Sequence, residues 1–134
     1  MIVLDAGVVI AVLDATDVHH QAAREALSAA LLDPVELVLP ASAYAEVLVA
    51  PSRAGAAAVA TVDAFIDGLP ARIEPTSRAI AASAAALRAR HGSALRLPDA
   101  LVIATAEVLR AERVLTTDAR WPRLDLQVEV LTTA

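Results

Sequence analysis

Four acidic residues of this 134-residue chain stand among apolar or β-branched neighbours, where a carboxylate needs a partner. Asp5 and Asp118 each come directly after a short aliphatic run, and Glu46 and Asp99 are single charges within apolar helical segments. An unpartnered buried carboxylate is costly, so a bound cation is one explanation for these positions. Magnesium prefers oxygen ligands, and a metal can activate water to attack a phosphodiester. The four acids therefore indicate metal-assisted phosphodiester hydrolysis.

Each acid also has an ordinary structural explanation. Asp5 could cap the helix that follows it, and Asp118 could be a turn residue. Asp99 lies in the first turn of a helix, where the helix dipole favours an acid. Glu46 could lie on the solvent-exposed stripe of its helix. Taken one at a time, the residues leave both interpretations open.

Short apolar strands alternate with longer helical segments along the chain. Strands are predicted over residues 2–4, 35–39, 71–74, 114–116 and 128–131, and helices over residues 7–13, 19–32, 42–49, 56–69, 76–91 and 98–111. This alternation predicts an α/β fold with a mostly parallel central sheet of about five short strands flanked by helices. Asp5 and Asp118 then lie at carboxyl ends of strands, where such sheets bind ligands.

Composition limits the classes of function. With 134 residues, of which 57% are hydrophobic, the chain is expected to form one domain over residues 1–134. It contains no cysteine, and all eleven basic residues are arginine, which excludes catalysis by cysteine or lysine. The apolar N-terminal segment has no basic leader and no charge-free run is long enough to span a membrane. We therefore expect a cytoplasmic protein without a membrane partner.

A formal charge of −5 weighs against nucleic-acid binding unless basic side chains gather near the acids. Arginine and histidine residues do flank two of the acids, so they could border an acidic crevice and contact a phosphate backbone. These residues are Arg88, Arg90, His91 and Arg96 before Asp99, and Arg120 and Arg123 after Asp118.

At four places along its length the chain resembles the PIN domain, and its length and order of motifs resemble those of VapC toxins. Asp5 with its strand matches the first place, and Glu46 after PASAYA the second. Asp99 in LPDALVIATA matches the third, and Asp118 in LTTD the fourth. The first place departs from the pattern, because the family usually has Ser or Thr one or two residues after its first acid. In this chain the two positions after Asp5 are Ala6 and Gly7, which have no hydroxyl. We therefore expect fewer hydrogen bonds to orient the Asp5 carboxylate.

The resemblance implies a Mg²⁺-dependent endoribonuclease, with Mn²⁺ as a substitute ion, that hydrolyses RNA with metal-activated water. Asp5, Glu46, Asp99 and Asp118 would be its catalytic and metal-binding residues. We expect Asp5 and Asp99 to bind the ion directly, and Glu46 and Asp118 to act through water or on a second ion. The resemblance also implies the toxin of a type II toxin–antitoxin system, with a VapB-type antitoxin covering the crevice, and a homodimer.

Three alternatives were weighed against this interpretation. A PIN nuclease that processes RNA without an antitoxin would carry the same four acids. A phosphate-transfer signalling domain normally needs a lysine, and a related phosphatase would need a second acid where Gly7 stands. A non-catalytic interaction domain would have no reason to keep all four acids. Two further features favour ordinary roles: adjacent His19 and His20 diverge on a helix, and Trp121 is expected to pack rather than stack on a base.

Overall fold

The computed structural model describes residues 1–133 and contains a five-stranded sheet in the order β3-β2-β1-β4-β5. The strands are β1 (Ile2–Leu4), β2 (Leu37–Pro40), β3 (Ala71–Glu74), β4 (Arg113–Thr116) and β5 (Val128–Val130). All four neighbouring pairs are parallel, so the predicted α/β fold with a mostly parallel sheet is confirmed. The last residue of the predicted domain, Ala134, lies outside the described residues.

Six helices connect the strands, as predicted from the spacing of apolar residues. They are α1 (Ala6–Leu13), α2 (His20–Leu32), α3 (Ala41–Ala54), α4 (Ala56–Gly68), α5 (Arg78–His91) and α6 (Leu97–Leu109), and a single 3₁₀ turn (Gly92–Ala94) precedes α6. Every residue of β1 and β2 is buried. Because side chains alternate between the two faces of a strand, the centre of the sheet must be covered on both sides.

Several predicted boundaries differ from the observed ones by one or two residues, and the end of the third helix by five. The second strand begins at Leu37 rather than at residue 35, because the Val35 N–H bonds to the Asp33 carbonyl in a turn. The third helix does not stop at residue 49 but runs through Pro51 to Ala54. Proline forfeits one hydrogen bond inside a helix, and here the helix ends only at Gly55, whose φ of 121° most residues cannot adopt.

Helix α6 is buried on nearly all sides, which fixes the position of its N-terminus. Val102 and Ala106 belong to the main core around β1, β2 and β4, whereas Ala100, Ile103 and Ala104 pack with α5 in a second cluster. Side chains of α6 on opposite faces are thus held by two separate cores. The first turn of α6, which carries Asp99, is thereby held beside the sheet.

Among residues 1–133, none of the helices combines the length and the apolar character that a bilayer span requires.

Candidate active site

The four predicted acids come from four separate elements. Asp5 directly follows β1 and caps α1, and Asp118 lies in the loop that follows β4. Strands β1 and β4 are parallel neighbours with Leu4 opposite Leu115, so these two acids leave the same edge of the sheet. Asp99 lies in the first turn of α6, and Glu46 lies within α3. The predicted placement of Asp5 and Asp118 at carboxyl strand ends is confirmed.

Asp5 is the most buried of the four acids, with 8% of its surface exposed. Its Oδ1 accepts a hydrogen bond of 2.9 Å from the Ala6 N–H, and its Oδ2 accepts one of 2.7 Å from the Thr116 hydroxyl. The pKa of Asp5 is raised to about 6, mainly by burial and also by the charges of Asp99 and Glu46, against the lowering effect of the two hydrogen bonds. Asp5 therefore caps a helix and also shares the field of two other acids.

The Thr116 hydroxyl connects two of the acids. It donates to Asp5 Oδ2, and it accepts a hydrogen bond of 3.1 Å from the backbone N–H of Asp118. Thr116 is itself fully buried at the end of β4. The weaker support predicted for Asp5 from Ala6 and Gly7 is wrong, because β4 supplies the hydroxyl from 111 residues away.

Asp99 and Glu46 complete a group of carboxylates that feel one another's charge. Partial burial raises the pKa of Asp99, and the Asp118 carboxylate raises it further. Desolvation by the surrounding protein likewise raises the pKa of Glu46, with the Asp99 carboxylate as the next cause. Glu46 is solvent-exposed, as its structural alternative predicted, but it is close enough to the other acids to interact with them. The structure thus brings all four acids into one electrostatic group.

Two arginine residues offset part of this negative charge. Arg120 Nε lies 3.1 Å from Asp118 Oδ1, and its Nη2 lies 3.3 Å from Oδ2. These hydrogen bonds hold the pKa of Asp118 below its usual range. The positive charge of Arg96 partly offsets the raised pKa values of Asp99 and Glu46, and it helps to lower the pKa of Asp118.

A crevice of about 310 Å³ opens beside these charged residues. Its lining includes Asp99, Asp118, Arg96, Arg120 and Trp121. Two of the flanking basic residues therefore border the acidic crevice, as the sequence suggested. Arg88 has another role, because it donates to the carbonyls of Gly92 and Leu95 and ties down the turn before α6.

Trp121 both packs and lines the crevice. Its ring contacts the main core and the α5–α6 cluster, in agreement with the packing prediction. Its Nε1 is buried and has no hydrogen-bond partner within residues 1–133. The indole N–H is near enough to lower the pKa of Asp99 without closing a hydrogen bond. Neither this donor nor the Thr116–Asp5 bond was found from the sequence, because both depend on long-range packing.

The donor chemistry of the site fits magnesium, since every candidate ligand is a carboxylate oxygen. No three acidic or histidine side chains of residues 1–133 converge tightly enough to enclose an ion by themselves. Magnesium does not need such a cage, because it keeps several waters and is commonly held by one or two carboxylates. The histidine pair lies elsewhere: His20 Nδ1 is 2.7 Å from the Ala11 carbonyl, and His19 pairs with Asp17.

Comparisons with known proteins agree with the fold. The family model of the PIN domain matches residues 2–126. No curated protein matches the sequence. A toxin–antitoxin complex from Klebsiella pneumoniae superposes with a TM-score of 0.75 at 23% identity, covering 98% of both chains.

Two further solved structures share the fold. FitAcB from Neisseria gonorrhoeae has a TM-score of 0.74 at 22% identity, covering 96% of each chain. VapC20 from Mycobacterium tuberculosis, described as a toxin that cleaves the sarcin–ricin loop, has a TM-score of 0.70 at 20% identity. It covers 85% of this chain and 87% of its own. At these identities the likeness shows a common fold.

The raised pKa of Asp5 predicts that this residue destabilises the metal-free fold at neutral pH. Between the ordinary value of 3.8 and about 6, the folded carboxyl keeps a proton that the unfolded one has lost. Stability contributed by Asp5 is therefore greatest below this range and falls as pH rises through it. Asp5→Asn should raise the free energy of unfolding at pH 7 by about 1 to 3 kcal/mol, at about 1.4 kcal/mol per pKa unit.

Urea unfolding of the metal-free protein at several pH values measures this effect. Asp118→Asn is the control, because the pKa of Asp118 is lowered and its contribution is instead lost as pH falls. An Asp5→Asn variant that is no more stable than the wild type at pH 7 would contradict the electrostatic description of the site.

Proposed function

The chain belongs to the PIN-domain family, and we propose that it is a Mg²⁺-dependent endoribonuclease. In this proposal it acts as the toxin of a type II toxin–antitoxin system. One observation carries the proposal: the family match spans residues 2–126, and within it the fold gathers Asp5, Glu46, Asp99 and Asp118 into one electrostatic group. The proposal places the protein in the cytoplasm and includes Mn²⁺ as a substitute ion.

Asp5 and Asp99 are the proposed direct ligands of the ion. When bound, the ion would polarise the scissile phosphate and lower the pKa of an attacking water. The Thr116 hydroxyl holds Asp5 in one orientation, because it donates a hydrogen bond to Oδ2. A second lone pair on Oδ2 stays free to bind the ion. Glu46 and Asp118 are proposed to act through water or on a second ion. The Asp118 carboxylate is already hydrogen-bonded to Arg120, so it would be shared between this arginine and the ion.

An RNA substrate is supported by the two arginine residues of the crevice. Net charge is −5, so any phosphate backbone must be met by a local positive charge. Arg96 and Arg120 supply it in the crevice that Asp99 and Asp118 also line. The description of VapC20 as a toxin that cleaves the sarcin–ricin loop supports RNA over other phosphodiesters.

An antitoxin partner is supported by an apolar groove that Glu46 helps to line. The groove has a volume of about 380 Å³ and is lined mainly by side chains of α1, α3 and α4, among them Ile10, Leu13, Val47 and Val62, with Glu46 at its border. Ile10 and Leu13 are 37% and 36% exposed although both are large and apolar. A partner segment with an apolar face would cover these side chains and reach Glu46 at the same time.

The similar Klebsiella pneumoniae structure is a toxin–antitoxin complex, which makes an antitoxin the proposed occupant of the groove. The proposed assembly also includes a homodimer of this chain. Light scattering of the purified protein, alone and with its antitoxin, distinguishes a dimer from a monomer.

Asp99→Asn should abolish cleavage of structured RNA in Mg²⁺. Loss of a ligand removes several kcal/mol of charge stabilisation, which corresponds to a rate lower by at least about 100-fold. Cleavage is followed on a denaturing gel with end-labelled RNA, and excess chelator should have the same effect as the substitution. Asp67→Asn is the matched control, because Asp67 is an exposed acid of α4. Cleavage that persists in the Asp99→Asn variant or in chelator would rule out the proposed function.

Ile10→Glu should weaken inhibition by the antitoxin while leaving cleavage of RNA intact, since a charge in the groove cannot be buried without cost. The concentration of antitoxin needed for half-inhibition should rise by about tenfold or more. Val108→Glu is the control, because Val108 is 39% exposed but lies in α6 outside the groove. Equal inhibition of the two variants would show that the antitoxin binds elsewhere. A purified chain that no upstream gene product inhibits would favour a PIN nuclease without an antitoxin.

A further inference from the structure

The Thr117 side chain, in the loop after β4, lies against Gly7 of α1. A Cβ built on Gly7 would lie nearer to Thr117 Oγ1 than real Cβ atoms approach any neighbour, with Thr117 Cβ at 3.7 Å. Positive φ angles occur only at Gly55 and Gly92 among the glycines of residues 1–133, so the backbone of Gly7 is one that alanine adopts freely. Glycine is needed here to admit the Thr117 hydroxyl, which lies where a side chain would otherwise stand.

Helix preferences make this glycine informative. Glycine is less favourable than alanine within a helix, because it loses more backbone freedom on folding. Gly68, near the end of α4, has no atom within 4 Å of a Cβ built on it, so it lacks any such steric reason. The chain thus contains two helical glycines of ordinary φ, of which only Gly7 meets a neighbouring side chain.

The contact joins the two acids that leave the central strands. Gly7 lies two residues after Asp5, and Thr117 directly precedes Asp118 and directly follows Thr116. Thr116 hydrogen-bonds to Asp5 at 2.7 Å and to the Asp118 N–H at 3.1 Å. The Thr117 side chain is half-buried, and its hydroxyl packs against Gly7. A displacement of Thr117 would pull on both bonds of Thr116.

We propose that Thr117 is a positioning residue of the acidic site, whose hydroxyl rests against the bare Cα of Gly7 and so fixes the separation of Asp5 from Asp118. This inference rests on the proposed function in that the two acids serve a common metal. It assigns to Gly7 a spacing role: a side chain at this position would displace the Thr117 hydroxyl from its place between α1 and the Asp118 loop. Such a side chain would therefore weaken metal binding and leave the packing of the core unchanged.

The experiment measures the rise in thermal midpoint that Mn²⁺ or Mg²⁺ causes, a quantity that does not require RNA cleavage. Gly7→Ala should lose about half or more of the wild-type rise, whereas Gly68→Ala should keep it. Thr117→Ser, which retains the oxygen, should behave as the wild type. The double variant Gly7→Ala with Thr117→Ala should recover part of the rise lost in Gly7→Ala, because removal of the oxygen makes room for the new methyl group.

Cleavage rates provide a second measurement. A shift of about 1 Å in a catalytic group can cost about 100-fold, so Gly7→Ala should slow cleavage by about tenfold to 100-fold, with partial recovery in the double variant. Circular dichroism checks that each variant is folded. If Gly7→Ala does not fold, Thr117→Ser and Thr117→Ala decide, because equal metal-induced rises in these two would overturn the role of the hydroxyl.

The inference is overturned if Gly7→Ala matches Gly68→Ala in the metal-induced rise, or if the double variant is no better than Gly7→Ala. Either result would leave the proposed function intact, provided that the wild type cleaves RNA in a metal-dependent way. A wild type that gains stability from metal but does not cleave RNA would count against the proposed function alone. A wild type that gains nothing from metal would count against both.

Discussion

The Thr116 hydroxyl holds together the part of the molecule on which the candidate site depends. It donates to the buried Asp5 carboxylate and accepts from the backbone of Asp118, so one oxygen fixes two acids that lie 113 positions apart in the sequence. Without this donor Asp5 would keep only the Ala6 N–H against a large desolvation cost. The parallel pairing of β1 with β4 is what brings Thr116 to this position.

The acids of the site repel one another, and a bound cation would relieve this repulsion. Asp5, Glu46 and Asp99 all have raised pKa values, because burial and mutual repulsion disfavour their charged forms. Among the four acids, Arg120 hydrogen-bonds to Asp118, and Arg96 lines the crevice beside Asp99 and Asp118. The protein therefore tolerates an unfavourable charge arrangement in a fold whose core is otherwise apolar. Such an arrangement is typical of a site that is completed by a ligand.

Much of the fold could be predicted from the sequence, because apolar runs and helical spacing mark the elements directly. The existence and order of all five strands and six helices followed from these patterns, whereas the start of β2 depended on a turn at Val35 that no pattern marks. The end of α3 was missed because Pro51 normally stops a helix.

For the candidate site, the acid positions could be inferred from burial and resemblance, but their mutual support could not. The bond from Thr116 to Asp5 and the contact of Thr117 with Gly7 join elements that are distant in sequence, and the burial of Trp121 Nε1 depends on the same long-range packing. Gly7 shows the limit most clearly. In the sequence Gly7 stands where the family usually has a hydroxyl, and in the structure the Thr117 hydroxyl from the loop after β4 lies against it.

The most direct test of the account is the number of protons released when Mn²⁺ binds to the metal-free protein, measured by titration calorimetry in buffers of different ionisation enthalpy. Because the pKa of Asp5 is raised to about 6, this acid is about half protonated at pH 6 and must lose its proton to serve as a ligand. The account predicts a release of about half a proton or more at pH 6 that falls towards zero by pH 8. Binding without proton release at pH 6, or no binding at all, would contradict it.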